Sequence, residues 1–186
     1  MSWLEQIKNK LGFWMLEKKV EVRKGINPIP SFESIQEIGV IYNATKALEE
    51  EQMNRIAHFL RDQGKKVWTL GYVDSNKLPH NRKFHISSEY FWKEQLNFFN
   101  LPQPEKVGQF MNHNFDLLMN LYFDPILPMQ AMSCICQAKY RMGAQIENGI
   151  QYNDSIIDTG NDHSIQSLSA QIVHYLKVIN QHESNK

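Results

Sequence analysis

The sequence predicts an α/β fold: one three-layer, Rossmann-like or flavodoxin-like domain with a mainly parallel sheet of four to six strands, preceded by an amphipathic N-terminal helix. Three observations predict it. Apolar runs of strand length alternate along the chain with amphipathic stretches of helix length. The run FDLLMNLYF is apolar almost throughout, as a strand covered on both faces should be. A strand, a helix and a second strand also follow one another within residues 37–73, the span of a βαβ unit with parallel strands. A chain of 186 residues holds one such domain and is too short for two.

In order, residues 1–24 read as a basic amphipathic helix. Ser2 with Glu5 three residues on is a capping-box pattern. Leu4, Ile7, Leu11 and Trp14 keep helical spacing, with Trp3 and Met15 beside them. Gly12 costs such a helix about 1 kcal/mol against Ala, so it should depend on packing. This segment holds six Lys/Arg and three Glu, a net of +3. Gly25, Pro28 and Pro30 make residues 25–36 a linker, and the α/β domain occupies 37–181, followed by a polar tail at 182–186.

Within the domain, EIGVIYN (37–43) is the first strand and a helix over 46–63 carries Met53, Ile56, Ala57 and Leu60 on one face, with Gly64 as its stop. KVWTLGYV (66–73) is the second strand. KFHIS (83–87) has strand character, and Tyr90–Phe99 reads as an aromatic-rich helix ended by Pro102 and Pro104. Phe115–Phe123 is the central strand. A buried helix then runs from Pro128 to about Arg141, RMGAQI follows as an edge strand, and SIID as another. Residues 164–180 close the chain as a helix packed through Ile165, Leu168, Ile172, Tyr175, Leu176 and Ile179.

Composition excludes several classes. Twenty Lys+Arg cancel 20 Asp+Glu, so no overall basic field draws nucleic acid, and the single basic and aromatic concentration around Arg82, Tyr90 and Trp92 fits helix–sheet filling. No apolar run reaches membrane-spanning length, and the first 25 residues lack a signal peptide's apolar core. Two cysteines are no disulfide framework, so a cytoplasmic protein, peripheral to the membrane if its helix lies on one, is expected. Neither GxGxxG nor GxxxxGK[ST] follows the first strand, and glutamates at positions 49–51 would repel a pyrophosphate there. Cys134 and Cys136, two apart in a predicted helix, point about 200° from each other and cannot share a metal. HExxH, CxxC and GxSxG are absent, so neither a metal nor a cofactor is expected.

Two candidate sites remain. Ligands of open parallel sheets bind beyond the strands' carboxyl ends, where Asn43, Asp74, Asp124, Asp158 and Asp162 fall. The plain alternative is that these residues, like Thr45, cap helices and build turns. The second is the N-terminal helix: Trp3, Ile7, Leu11 and Trp14 with Lys8, Lys10 and Lys18 form a surface for a partner protein or a membrane. Its plain alternative is an ordinary helix packed on its own domain.

The stretch FDLLMNLYFDPILPMQAMSCICQAKYRMGAQ, followed by NDSIIDTG, together with IGVIYNAT and GKKVWTLGYVD, resembles a small bacterial family best represented in Bacteroidetes and designated a domain of unknown function. That resemblance covers most of the chain and brings no activity with it. The strand DLLxNL, a buried helix and AKYRMG are similar to the N-terminal half of heptosyltransferase-type glycosyltransferases, which implies a fold and, lacking their second domain and glycine-rich loop, not their activity. The sequence thus favours a non-catalytic binding or scaffold protein acting through its N-terminal helix. The alternative is a nucleotide or sugar-nucleotide binding protein, or a transferase-like enzyme, using the strand-end loops.

Overall fold

Glu37 stands opposite Lys66, and from there to Asn43 opposite Tyr72 two strands run parallel, β1 (Glu37–Asn43) and β2 (Lys66–Val73). The helix α2 (Ala47–Asp62) crosses between them, burying Met53, Ile56, Ala57 and Leu60 as their spacing requires. Gly64 follows with a φ of +79°, the left-handed stop that glycine adopts without steric cost. The computed structural model describes residues 3–20, 28–80, 82, 86–146 and 152–183. Ser2 and Gly25, and with them the expected capping box, lie outside these.

The remaining strands are β3 (Ser88–Trp92), β4 (Asn114–Leu121), β5 (Gln137–Ala144) and β6 (Ser155–Ile157). All pairings are parallel, in the order β3-β2-β1-β4-β5-β6. The order reverses between β1 and β4, as it does in doubly wound sheets. The helices are α1 (Trp3–Val20), α3 (Leu127–Ile135) and α4 (Ile165–Glu183), besides α2.

Strand alternation sends one set of side chains to each face. On one face Ile38, Val40, Val67, Leu117, Met119 and Met142 meet α2 and α4, whose Leu168 and Ile172 are fully buried. On the other, Ile41, Leu70, Phe91, Phe115 and Leu118 meet Met129 and Met132 of α3, with Val107 and Phe110 from the chain between β3 and β4. A third cluster holds α1 against α3: Leu16 of α1 packs with Leu101, Leu127, Ala131 and Cys134.

Several predicted elements are corrected. The helix expected over 90–99 is absent; Tyr90 faces the α2–α4 core and Phe91 the opposite one, which only an extended chain can arrange. A short 3-10 turn at Lys93–Gln95 follows it. The predicted strand at 83–87 reaches into undescribed residues, and of its end Ile86 and Ser87 form a turn. The helix expected to reach Arg141 stops at Ile135. Arg141 itself explains the stop: from within β5 its buried guanidinium donates to the carbonyls of Ser133 (3.1 Å) and Cys136 (2.8 Å), which the helix end leaves without intrahelical partners. Cys136 therefore lies beyond the helix, a buried thiol outside any disulfide, as is Cys134. β5 is an inner strand, and β6 forms the edge.

Candidate functional site

At the carboxyl ends, the five predicted polar residues fall into three groups. Asn43 and Asp74 are joined through Thr45: the Asn43 Oδ1 accepts the Thr45 N–H (3.0 Å), and the Thr45 hydroxyl accepts the Asp74 N–H (3.0 Å). Asp74 also pairs with Lys93 at 2.9 Å and accepts the Tyr72 hydroxyl at 3.2 Å. Asp158 and Asp162 organise the loop before α4. Asp158 accepts the Gly160 N–H (2.8 Å), and Asp162 accepts that of Ser164 (3.0 Å). Hydrogen bonds from Ser164 hold the Asp162 carboxyl below its ordinary range. The α4 cap is Ser164, whose hydroxyl accepts the Ser167 N–H at 3.2 Å, rather than Asp162 as expected. Likewise Lys46, not Thr45, stands at the α2 N-cap.

The fifth residue, Asp124, faces the first turn of α2. There Glu49 reaches back to the Lys46 N–H, and burial pushes its carboxyl above the usual range, with Asp124 adding to the rise. Its second oxygen is buried and makes no hydrogen bond among the described residues. Glu50 beside it accepts the Tyr90 hydroxyl (2.7 Å) and pairs with the buried Arg82, whose guanidinium also donates to the Ala44 carbonyl. Two carboxylates thus occupy the helix N-terminus where a sheet of this order would hold a phosphate. Arg82, basic in the sequence, serves to tie the loop after β2 to this turn. Across the same edge, Phe123 stacks on His163, ring centroids 5.1 Å apart and planes within 13°.

The other candidate is α1. The face that touches the domain is made of Gly12, Phe13, Leu16 and Asn9, the last accepting a hydrogen bond from the Asn100 amide at 2.6 Å. The predicted stripe points the other way. Trp3 is 72% exposed, Leu4 62%, Ile7 36%, Leu11 43% and Trp14 53%. The helix does pack on its own domain, but not through its tryptophan-bearing side. Lys18 Nζ sits 3.7 Å from the centroid of the Trp14 ring, and Lys8 Nζ lies 4.4 Å from that of Phe98, itself 67% exposed. Phe98 extends the apolar surface and escaped the sequence reading, which placed it in a helix.

The family model described as "Family of unknown function (DUF6913)" matches residues 8–179. The chain belongs to this family. No curated protein and no solved structure matches it. The match begins within α1 and ends within α4, so Leu11, Gly12, Trp14 and Leu16 lie inside the DUF6913 span. Two open cavities of this DUF6913 chain lie away from both candidates. One, of about 660 Å³, borders β3 and is lined by Glu89, Tyr90, Lys106 and Gln109. Its Glu89 carboxylate accepts the N–H groups of Gln109 and Phe110, both at 3.1 Å. The other, of about 390 Å³, lies between Pro28–Pro30 and the Asp116–Lys139 pair. Among the described residues no group of three or more His, Cys, Asp and Glu is placed to hold a metal ion, and no helix is long and apolar enough to cross a membrane.

Proposed function

We propose that this protein is a non-catalytic docking module that engages another surface through the outward face of α1. One observation carries the reading. α1 is fastened to α3 by Gly12 and Leu16, while five large apolar side chains on its opposite side remain exposed. A helix that is apolar on two sides is built to be covered twice. Contiguous exposed apolar surface of this kind marks interaction sites in soluble proteins. The alternative, a nucleotide or sugar-nucleotide at the strand ends, would bring an anion onto Glu49 and Glu50, and the loop carboxylates Asp158 and Asp162 already serve turns.

Photo-crosslinking tests the docking reading. A benzophenone side chain at Ile7 in the full-length protein, expressed in cells, should form adducts that the same group at the exposed Leu48 of α2 does not. Equal labelling at both positions would remove the reading. A thermal shift with nucleotides or sugars would support the alternative in its place.

A further inference from the structure

We infer that the surface α1 engages is an anionic lipid bilayer, a proposal that rests on the docking reading and names its partner. On a helical wheel of about 100° per residue, the five exposed apolar side chains share one arc from Trp3 to Leu4; Lys18 falls within it, Lys10 about 20° beyond the Trp3 border and Lys8 about 40° beyond the Leu4 border. Glu17 lies about 40° beyond the Trp3 border and Glu5 about 100° beyond the Leu4 border. The outward face is therefore apolar and net cationic, three lysines standing against one glutamate, Glu17, at its border. Its two tryptophans stand eleven positions apart, about 16 Å along the axis, and bracket the patch. Tryptophan rings settle at headgroup depth, and the ammonium of Lys18 over the Trp14 ring would be delivered to that same depth. Tryptophan and leucine flanked by lysine is the composition of helices that lie in the plane of a membrane.

Charge complementarity separates this partner from a second copy of the chain. A second copy of the chain would bring three lysines and a single glutamate against the same set, so the net positive charge of this face disfavours self-pairing through it. The charge of the whole chain points the same way. Residues 1–24 carry a net of +3 in a chain whose formal charge is zero, leaving −3 on the rest. An anionic surface therefore attracts the helix and repels the remainder of the chain, which sets an orientation as well as an affinity.

The full-length protein should co-sediment with vesicles of phosphatidylcholine mixed with phosphatidylglycerol, and weakly or not at all with phosphatidylcholine alone. Each lysine near an anionic surface changes partitioning about fivefold, so the triple variant Lys8→Gln, Lys10→Gln, Lys18→Gln should lose on the order of a hundredfold. Added salt should weaken the parent in the same sense, which tests the charge requirement without any variant. Trp3→Ser with Trp14→Ser should abolish binding at an unchanged melting temperature. Absence of the parent from both vesicle pellets overturns the proposal, and so does equal binding to both compositions. Adducts from Ile7 to a protein rather than to lipid would also overturn it while leaving the docking reading standing; absence of any adduct removes that reading itself.

Discussion

Gly12 of α1 rests directly on Leu127, the first residue of α3: a Cβ at position 12 would stand 2.6 Å from Leu127 Cδ2 and nearer still to the Phe99 carbonyl oxygen. One of these neighbours is backbone and cannot swing aside. Gly12→Ala therefore has effects of opposite sign in two contexts. In a peptide of residues 1–24 it should raise helicity, since alanine is favoured over glycine by about 1 kcal/mol. In the full chain it should destabilise, because forcing a group into a filled contact costs about 1–3 kcal/mol. Circular dichroism of the peptide and denaturant unfolding of the protein measure the two. A full-length variant more stable than the parent would show that α1 is not docked as described.

Leu118 and Leu168 lie on opposite faces of the sheet, and both are fully buried. Replacing either by Ala should cost about 2–5 kcal/mol, from lost transfer energy and the cavity left behind. The two sites share no core cluster, so their costs should add in the double variant. A marked shortfall from additivity in urea titrations would mean that the sheet does not separate two cores.

What could be read from the sequence followed from pattern. EIGVIYN, KVWTLGYV and the helix between them declare themselves by period and length, and Gly64 by its place after the last apolar turn. Gln137–Ala144 did not, because Ala138, three residues after Ile135, continues the apolar spacing of the helix before it. The boundary is decided by Arg141, a partner in space rather than in sequence. Tyr90–Trp92 misled for a related reason: aromatic residues serve a helix or a strand equally, and their two-sided burial is visible only once the cores exist. The stripe on α1 was legible as a stripe, but not its direction. Apolar spacing reports that a face is apolar, and here Gly12, a residue with no side chain, decides which face meets the domain.

Ser133 joins the two halves of a buried polar chain beneath α3. Its hydroxyl donates to the Asn120 Oδ1 at 2.6 Å and lies 2.9 Å from the Tyr122 hydroxyl, which in turn meets Tyr152. Asn120 continues the chain by donating to the Asn153 Oδ1 at 2.7 Å. Ser133→Ala removes little volume but strips a buried acceptor of its partner, so it should cost about 1–3 kcal/mol. Asn120→Ala in addition should cost less than the sum of the two single changes, since neither then leaves the other's group stranded. Thermal unfolding of the four proteins in that cycle measures the coupling, and strict additivity would argue against the network.

Asp116 fastens the entry to β1. Its Oδ2 accepts the N–H groups of Gln36 (2.8 Å) and Glu37 (3.0 Å), and its Oδ1 meets Lys139 Nζ at 2.8 Å. Burial alone would raise this carboxyl, but the hydrogen bonds from Lys139, Glu37 and Gln36 outweigh it and hold the pKa below its ordinary 3.8. The stabilisation is complete above that value and is lost as pH falls through the lowered one. Asp116→Asn should be destabilised at neutral pH by about 1–3 kcal/mol, a gap that narrows in acid. A constant gap from pH 7 to pH 2 would show that the carboxylate charge contributes nothing there.

Glu49 titrates in the opposite sense. Burial in the first turn of α2 raises its pKa above 4.5, with Asp124 adding to the rise, despite the opposing Lys46 charge and backbone N–H. A carboxyl that binds its proton more tightly when folded weakens the fold once pH exceeds its raised value, and the penalty vanishes below the unfolded one. Glutamine reaches back to an N-cap N–H as glutamate does and carries no charge. Glu49→Gln should therefore match or exceed the parent in stability at pH 7, with any advantage shrinking as pH falls from the raised value toward 4.5 and gone below it. The comparison also bears on the strand ends as a ligand site. If the variant is markedly less stable at pH 7, the charged carboxylate is supported there, and the reading of this turn as anion-repelling fails.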